Sequence, residues 1–310
     1  MRDSSTLSLQ SAQPATGSGP SATTAPASAY LWGLAAVLMF SAGLPATRLA
    51  VLELPPVFVG AGRAAVAGIF SVLLLWLLRQ PVPARRYWPG LAIVAFGAAF
   101  AYPLFSAWAL QYVGAGHATL VTALMPLCTA IFGAWLSAQV PRRGFWLAAC
   151  SGAALVLGYS AWHHSVSDLA LADGLLLLGC ICCGLAYAKG AMLAKALGSW
   201  QVICWALVLA LPLMLPWTLW QLPAIELQQI SAAAWFGFAY LALISMFLGF
   251  FAWYHALAQG GVAQISQLQQ LSPFLGLGWA ALWLGEPVSA LQLAVALLVV
   301  LCIVLGRKFG

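Results

Sequence analysis

Charge is what this sequence lacks. Of its 310 residues only 6% are Asp, Glu, Lys or Arg, while 64% are hydrophobic. A water-soluble domain carries about 25% charged residues and turns them toward solvent. A soluble globule is therefore excluded. Acid is scarcer still, with 6 Asp and Glu against 12 Lys and Arg, giving a net charge of +6. The basic residues are too few and too scattered to track a phosphate backbone, which excludes nucleic acid as a partner. No apolar run occurs in Met1–Ser28, so no signal peptide is expected there. The Ser, Thr, Ala and Pro of that stretch predict a disordered tail over 1–29. All 7 cysteines lie inside apolar segments, so a disulfide framework is excluded. No phosphate-binding glycine loop is present, which excludes ATP-driven pumping by this chain alone.

What the chain has in abundance is apolar runs of membrane-spanning length. A bilayer core of about 30 Å needs about 20 apolar residues per helix, and 310 residues hold about ten such helices. They are expected near Tyr30–Val51, Pro56–Leu78, Gly90–Tyr112, Gly114–Ala138, Gly144–Trp162, Asp173–Leu197, Ser199–Gln221, Ala232–Leu257, Gly261–Leu284 and Val288–Gly306. Pro55-Pro56, Pro141-Arg142-Arg143, Gly260-Gly261 and Glu286-Pro287 punctuate them. With ten alternating helices, Arg79, Arg85, Arg86, Arg142, Arg143, Lys195, Arg307 and Lys308 fall on one side. That asymmetry predicts both termini to be cytoplasmic, in a multi-pass protein of the inner membrane.

The two halves repeat. Ala109-Leu110, Gly114 and Pro126 match Ala256-Leu257, Gly261 and Pro273 at one offset, and Gly33, Gly43 and Arg48 match Gly174, Gly184 and Lys189 at another. Five helices per copy is an odd number, so the second copy is expected inverted, as in many transporters. The stretches YPLFSAWALQYVGAGHATLVTALMPLCTAIFGAWLSAQVPRRGFWLAACSGAALVLG and ISQLQQLSPFLGLGWAALWLGEPVSALQLAVALLVVLCIVLG, with Arg63 in PVFVGAGRAAVAGIF, resemble the EamA-type module of the drug/metabolite transporter superfamily. The likeness covers residues 30–307. It implies an all-α integral membrane fold of two inverted five-helix repeats, 30–162 and 173–307. It also implies a cavity lined by helices one, three, four, six, eight and nine, and outward transport of amino acids or similar metabolites. The Gly-Glu pair of that module survives as Gly285-Glu286, but Gln139-Val140 replaces it in the first repeat.

Polar side chains at membrane depth need a reason. Gln267 and Gln270 on helix nine are predicted to face the solute path, and bonding between helices is the bland alternative. Thr122 on helix four and Ser41 on helix one join that path. His117 is read as an interfacial histidine or a proton carrier. Arg48 and Lys189 either snorkel to the interface or attract a solute anion. Among the aromatics, Tyr102, Trp108, Tyr187 and Tyr254 are candidates for the path, with His255 beside them as a gate or an anchor. Pro45, Pro103, Pro126 and Pro273 are expected hinges, since each frees a carbonyl one turn back. Arg63 is read as structural, bonding carbonyls or Glu53 within a Gly60-x-x-x-Ala64-x-x-x-Gly68 face. Glu286 is read as a cap of its own helix. Cys180, Cys182 and Cys183 lack further zinc ligands on their helix and are read as packing. No cofactor is expected.

These features predict a secondary carrier of a small, partly apolar solute, with the bilayer as its surroundings and protons as a conceivable coupling ion. A monomer and a homodimer are both compatible with it. A membrane enzyme acting on a lipid and a non-transporting scaffold or sensor are the rivals. The enzyme would need a converging acid–base pair or metal set, and His117, His255 and Glu286 fall on different helices.

Overall fold

The computed structural model describes residues 26–136, nine positions between 144 and 159, and 166–260 and 265–309. Among these the chain is helical throughout. The first half runs α1 Ala27–Ser41, α2 Gly43–Val51, α3 Pro56–Leu77, α4 Trp88–Val94, a π-helical segment Ala95–Ala101, α5 Tyr102–Tyr112, α6 Ala115–Thr122 and α7 Met125–Leu136. The second half runs α8 Val166–Leu197, α9 Ser199–Gln221, α10 Ala232–Ala239, a π-helical segment Tyr240–Leu248, α11 Gly249–Gly260, a 3-10 segment Ser266–Leu271, α12 Ser272–Leu284 and α13 Ala290–Phe309.

Seven segments among the described residues are long and apolar enough to cross a membrane: Ala27–Val51, Pro56–Leu77, Arg85–Tyr112, Ala115–Leu136, Leu171–Leu197, Ser199–Ala224 and Ala232–Gly260. Of the other three expected spans, the fifth lies mostly outside the described residues, as does the tail over 1–25. The ninth is divided at the 3-10 segment, and the tenth is α13, whose apolar part is Ala290–Cys302. The distribution of side chains is that of a lipid-embedded bundle. Trp220 is 82% exposed, Trp76 74% and Leu282 72%, whereas Arg63, Asp173, His117 and Gln269 are buried. In water such an outer surface would be an aggregation site; in lipid it costs nothing.

Packing crosses between the halves. α1 lies on α11 and α8 lies on α5, two contacts that exchange when the halves are swapped, while α3 lies on α9, a contact that maps onto itself. Small residues permit the close approach. A Cβ at Gly60 would stand 2.9 Å from the Leu104 Cα, and one at Gly68 would stand 3.2 Å from the Leu207 carbonyl. α3 is thereby pressed between α5 and α9. Sharp stops come from left-handed backbone at Gly285 (φ 65°), which closes α12, and at Gly198 (φ 95°), which separates α8 from α9.

Two acids join the halves at helix starts. Glu53, after α2, accepts hydrogen bonds from the Ser231 backbone N–H and hydroxyl, each at 2.6 Å, at the start of α10. Glu286, after α12, accepts from the Ala115 and Gly116 N–H groups, both at 2.8 Å, at the start of α6. Glu286 was expected to cap its own helix; it instead caps one in the other half, because the open N–H groups of α6 point at it. The Ser231 hydroxyl, with the Ser231 N–H second, holds the exposed Glu53 carboxyl below its ordinary range.

Candidate functional site

The site is made by interrupted helices. Proline has no N–H to give the carbonyl four residues earlier, and each of four prolines sits one turn past an irregularity. Pro45 releases the Ser41 carbonyl, where α1 ends and α2 begins. Pro103 releases Ala99, inside the first π segment. Pro126 releases Thr122, the last residue of α6. Pro273 releases Gln269, inside the 3-10 segment. Apart from the α1–α2 break, the interruptions repeat at one offset: α7 starts at Met125 and α12 at Ser272, and the π segments end at Ala101 and Leu248, 147 residues apart in each case (272 − 125 and 248 − 101).

Around these breaks lies a cavity whose empty space, open mouth included, is about 840 Å³. It occupies the seam between two buried hydrophobic clusters, one containing Tyr187, Phe250 and Met125 and the other Leu44 and Ala123. Ser41, Gly43 and Thr47 line it from the helix-one break. Thr119, Thr122 and Pro126 line it from the helix-four break, and Gln269, Ser272 and Pro273 from the helix-nine break. Tyr102, Tyr187, Phe40 and Phe250 give it aromatic walls, and Arg63 reaches it from α3. Irregular backbone in a membrane protein is tolerated where it is buried in protein or faces such a cavity.

Most hydroxyls here are spent on their own helices. Thr47 donates to the Gly43 carbonyl at 2.7 Å, Thr122 to Ala118 at 3.0 Å, and Ser41 to Leu38 at 2.9 Å while accepting from the Trp279 indole at 3.1 Å. Among the described residues, three buried lining atoms have no hydrogen-bond partner: Arg63 Nε, Thr119 Oγ1 and Gln269 Oε1. A buried polar atom left unpaired costs about 1–3 kcal/mol, so these three are the unsatisfied polar points of the cavity wall.

Of the predicted path residues, Ser41, Tyr102, Thr122 and Tyr187 line the cavity, as do the hinges Pro126 and Pro273. Pro45 and Pro103 are buried behind it. Arg48 donates to the Leu110 carbonyl and does not line it. Lys189 packs its stem against Gly90, and Trp108 is half-buried elsewhere. Tyr254 is completely buried against Gly190. His255 bonds Gln259 at 2.9 Å and meets the Trp32 ring edge-on at 5.4 Å. Gln270 is buried off the cavity, and the Gln267 side chain lies outside the described residues.

Three readings change. His117 is not wetted at an interface: it is 7% exposed and bonds Asp173 at 2.7 Å, joining α6 to α8. Asp173, expected as the first residue of its helix, stands inside α8, which begins at Val166. Arg63 reaches Ser106, not Glu53, and faces the cavity. Spacing alone hid both: the His117–Asp173 contact joins residues 56 apart, and a long guanidinium can leave its helix in several directions. Gln269, and not Gln270, lines the cavity, because 3-10 winding turns different side chains inward than an α-helix would.

Residues 27–160 and 170–306 each match the EamA-like transporter family. The chain is 43% identical over 281 residues to the "Uncharacterized transporter YdeK" of Bacillus subtilis (strain 168), covering 91% of this chain and 97% of that protein. It is 25% identical over 264 residues to a "Probable terminal-alkyne amino-acid exporter" of Streptantibioticus cattleyicolor, covering 83% and 86%. A crystal structure at 18% identity superposes with a TM-score of 0.64 over 91% of this chain and 99% of that one, a likeness of fold alone.

Proposed function

This chain belongs to the EamA-like transporter family, and on that premise we propose that it is a secondary carrier exporting a small metabolite of amino-acid size. The proposed architecture is ten helices in two inverted repeats, with both termini cytoplasmic in the inner membrane. The repeats rock about the central cavity and expose it to each side in turn. One observation carries this reading: the α6–α7 and 3-10–α12 breaks fall at the same offset in the two halves and line the same cavity. A pore or scaffold has no need of matched hinges around one shared cavity. The aromatic walls and the name of the Streptantibioticus relative favour an amino acid or similar solute.

The test is side-specific access. In a background with the native cysteines replaced by serine, Thr122→Cys and Ser272→Cys are labelled in oriented vesicles with a membrane-impermeant thiol reagent. Each position is expected to react from either side, with the balance shifting when a transported solute is added. Reactivity confined to one side under every condition would refute alternating access. Flux of labelled amino acids into proteoliposomes separates a carrier from a scaffold.

A further inference from the structure

Arg63 is a buried cation with almost nothing to hold it. It is 4% exposed, and among the described residues its one hydrogen bond is a long 3.4 Å contact to Ser106 Oγ and its Nε has no partner. A guanidinium offers five donors and stays protonated. No described carboxylate pairs with it. Of the chain's 6 acids, Glu53 is engaged by Ser231, Asp173 by His117, Glu226 by Gln229 and Glu286 by α6, and the side chains of Asp3 and Asp168 lie outside the described residues. A buried charge without a countercharge is among the costliest arrangements a protein can keep. This one is kept on the wall of the cavity, beside Tyr102, Tyr187 and Cys183, none of which is an anion in its ordinary form. Ser106 in turn donates to the Pro103 carbonyl at 3.2 Å, so its hydroxyl supports the guanidinium without neutralising it.

We propose that Arg63 is the anion seat of the cavity: the solute carries a carboxylate that binds this guanidinium, while its apolar remainder lies against Phe40, Tyr187 and Phe250. The proposal rests on the cavity being the solute site, and adds the charge and polarity of the solute to it. A planar, forked donor matches a carboxylate two bonds at a time, and low dielectric around it makes discrimination by charge strong. Cationic amines are rejected by the same residue.

The probes are L-phenylalanine, 3-phenylpropionate, L-phenylalaninamide and phenethylamine, four molecules on one phenethyl skeleton that differ in carboxylate, amide and amine. Thermal stabilisation of the purified full-length protein is read for each, together with flux into proteoliposomes. The two carboxylates are expected to stabilise the protein and to bind at least tenfold more tightly than the amide and the amine. Arg63→Gln is expected to abolish that preference, and Arg63→Lys to keep its direction with weaker binding. Should Arg63→Gln not fold, Arg63→Lys and modification of the wild type by phenylglyoxal, slowed by the carboxylates only, serve in its place. Equal or better binding of the amide or amine, or an unchanged preference in Arg63→Gln, overturns the anion seat while leaving a carrier in place. No stabilisation by any of the four overturns the seat as stated; only if side-specific access also fails does the carrier reading fall with it.

Discussion

The α1–α2 pair and α8 hold corresponding places in the two halves, yet one is broken and the other is continuous. At the break Gly43 lines the cavity, and a Cβ there would meet only Ser245 Oγ at 3.4 Å, an ordinary contact. Its counterpart Gly184 lies inside α8, where a Cβ would stand 2.7 Å from Cys128 Cβ and 2.9 Å from the backbone of Cys128 and Thr129. The same residue thus serves an opening in one half and a seam in the other. A further pair of positions differs likewise. Asp173 of α8 bonds the buried His117, while its counterpart Trp32 of α1, 49% exposed, touches His255 edge-on. Related sequences have been divided between a half that yields and a half that is clamped.

The largest test of that division is Asp173→Ala beside Trp32→Ala. Removing one partner of a buried pair costs about 3–5 kcal/mol, whereas losing one exposed aromatic contact costs about 1 kcal/mol. Thermal unfolding in detergent should show Asp173→Ala as severely destabilised and Trp32→Ala as close to wild type. Equal losses would erase the contrast. Next comes Gly184→Ala against Gly43→Ala. Overpacking against backbone costs about 1–3 kcal/mol, so Gly184→Ala should lower the melting temperature and Gly43→Ala should leave it within error. The smallest effects belong to the helix-start acids. Glu286→Ala should cost about 1–2 kcal/mol, the usual worth of a cap. Glu53 shows itself through pH. Its carboxyl titrates below the ordinary value of 4.5, chiefly because it accepts from the Ser231 hydroxyl. The advantage of wild type over Glu53→Ala is therefore full at neutral pH and shrinks as pH falls through that lowered value. An advantage that grows on acidification would contradict the contact.

The sequence makes the helices legible because bilayer thickness sets their length and because lipid demands apolar faces. The breaks were readable where a proline announced them, at Pro45, Pro103, Pro126 and Pro273. The second π segment, Tyr240–Leu248, has no such sign: Phe250 stands where Pro103 stands in the first half. The pairings that cross between halves were out of reach. His117 with Asp173, Glu286 with Ala115 and Glu53 with Ser231 join residues 56 to 178 apart. Only the three-dimensional arrangement brings them together. Arg63 was placed correctly on its helix, but its neighbours on the small-residue face suggested packing, and nothing in the spacing says that its long side chain turns toward open space.

The π segments have a geometric consequence for Tyr102, which follows directly on the first of them. Each wide turn holds one residue more than an α turn, and one residue is about 100° of rotation along a helix. Tightening Ala95–Ala101 by a single residue would unscrew α5 by that angle and carry the Tyr102 ring off the cavity wall. The segment is a gear with one tooth to spare, and the aromatic side chain is the pointer it turns.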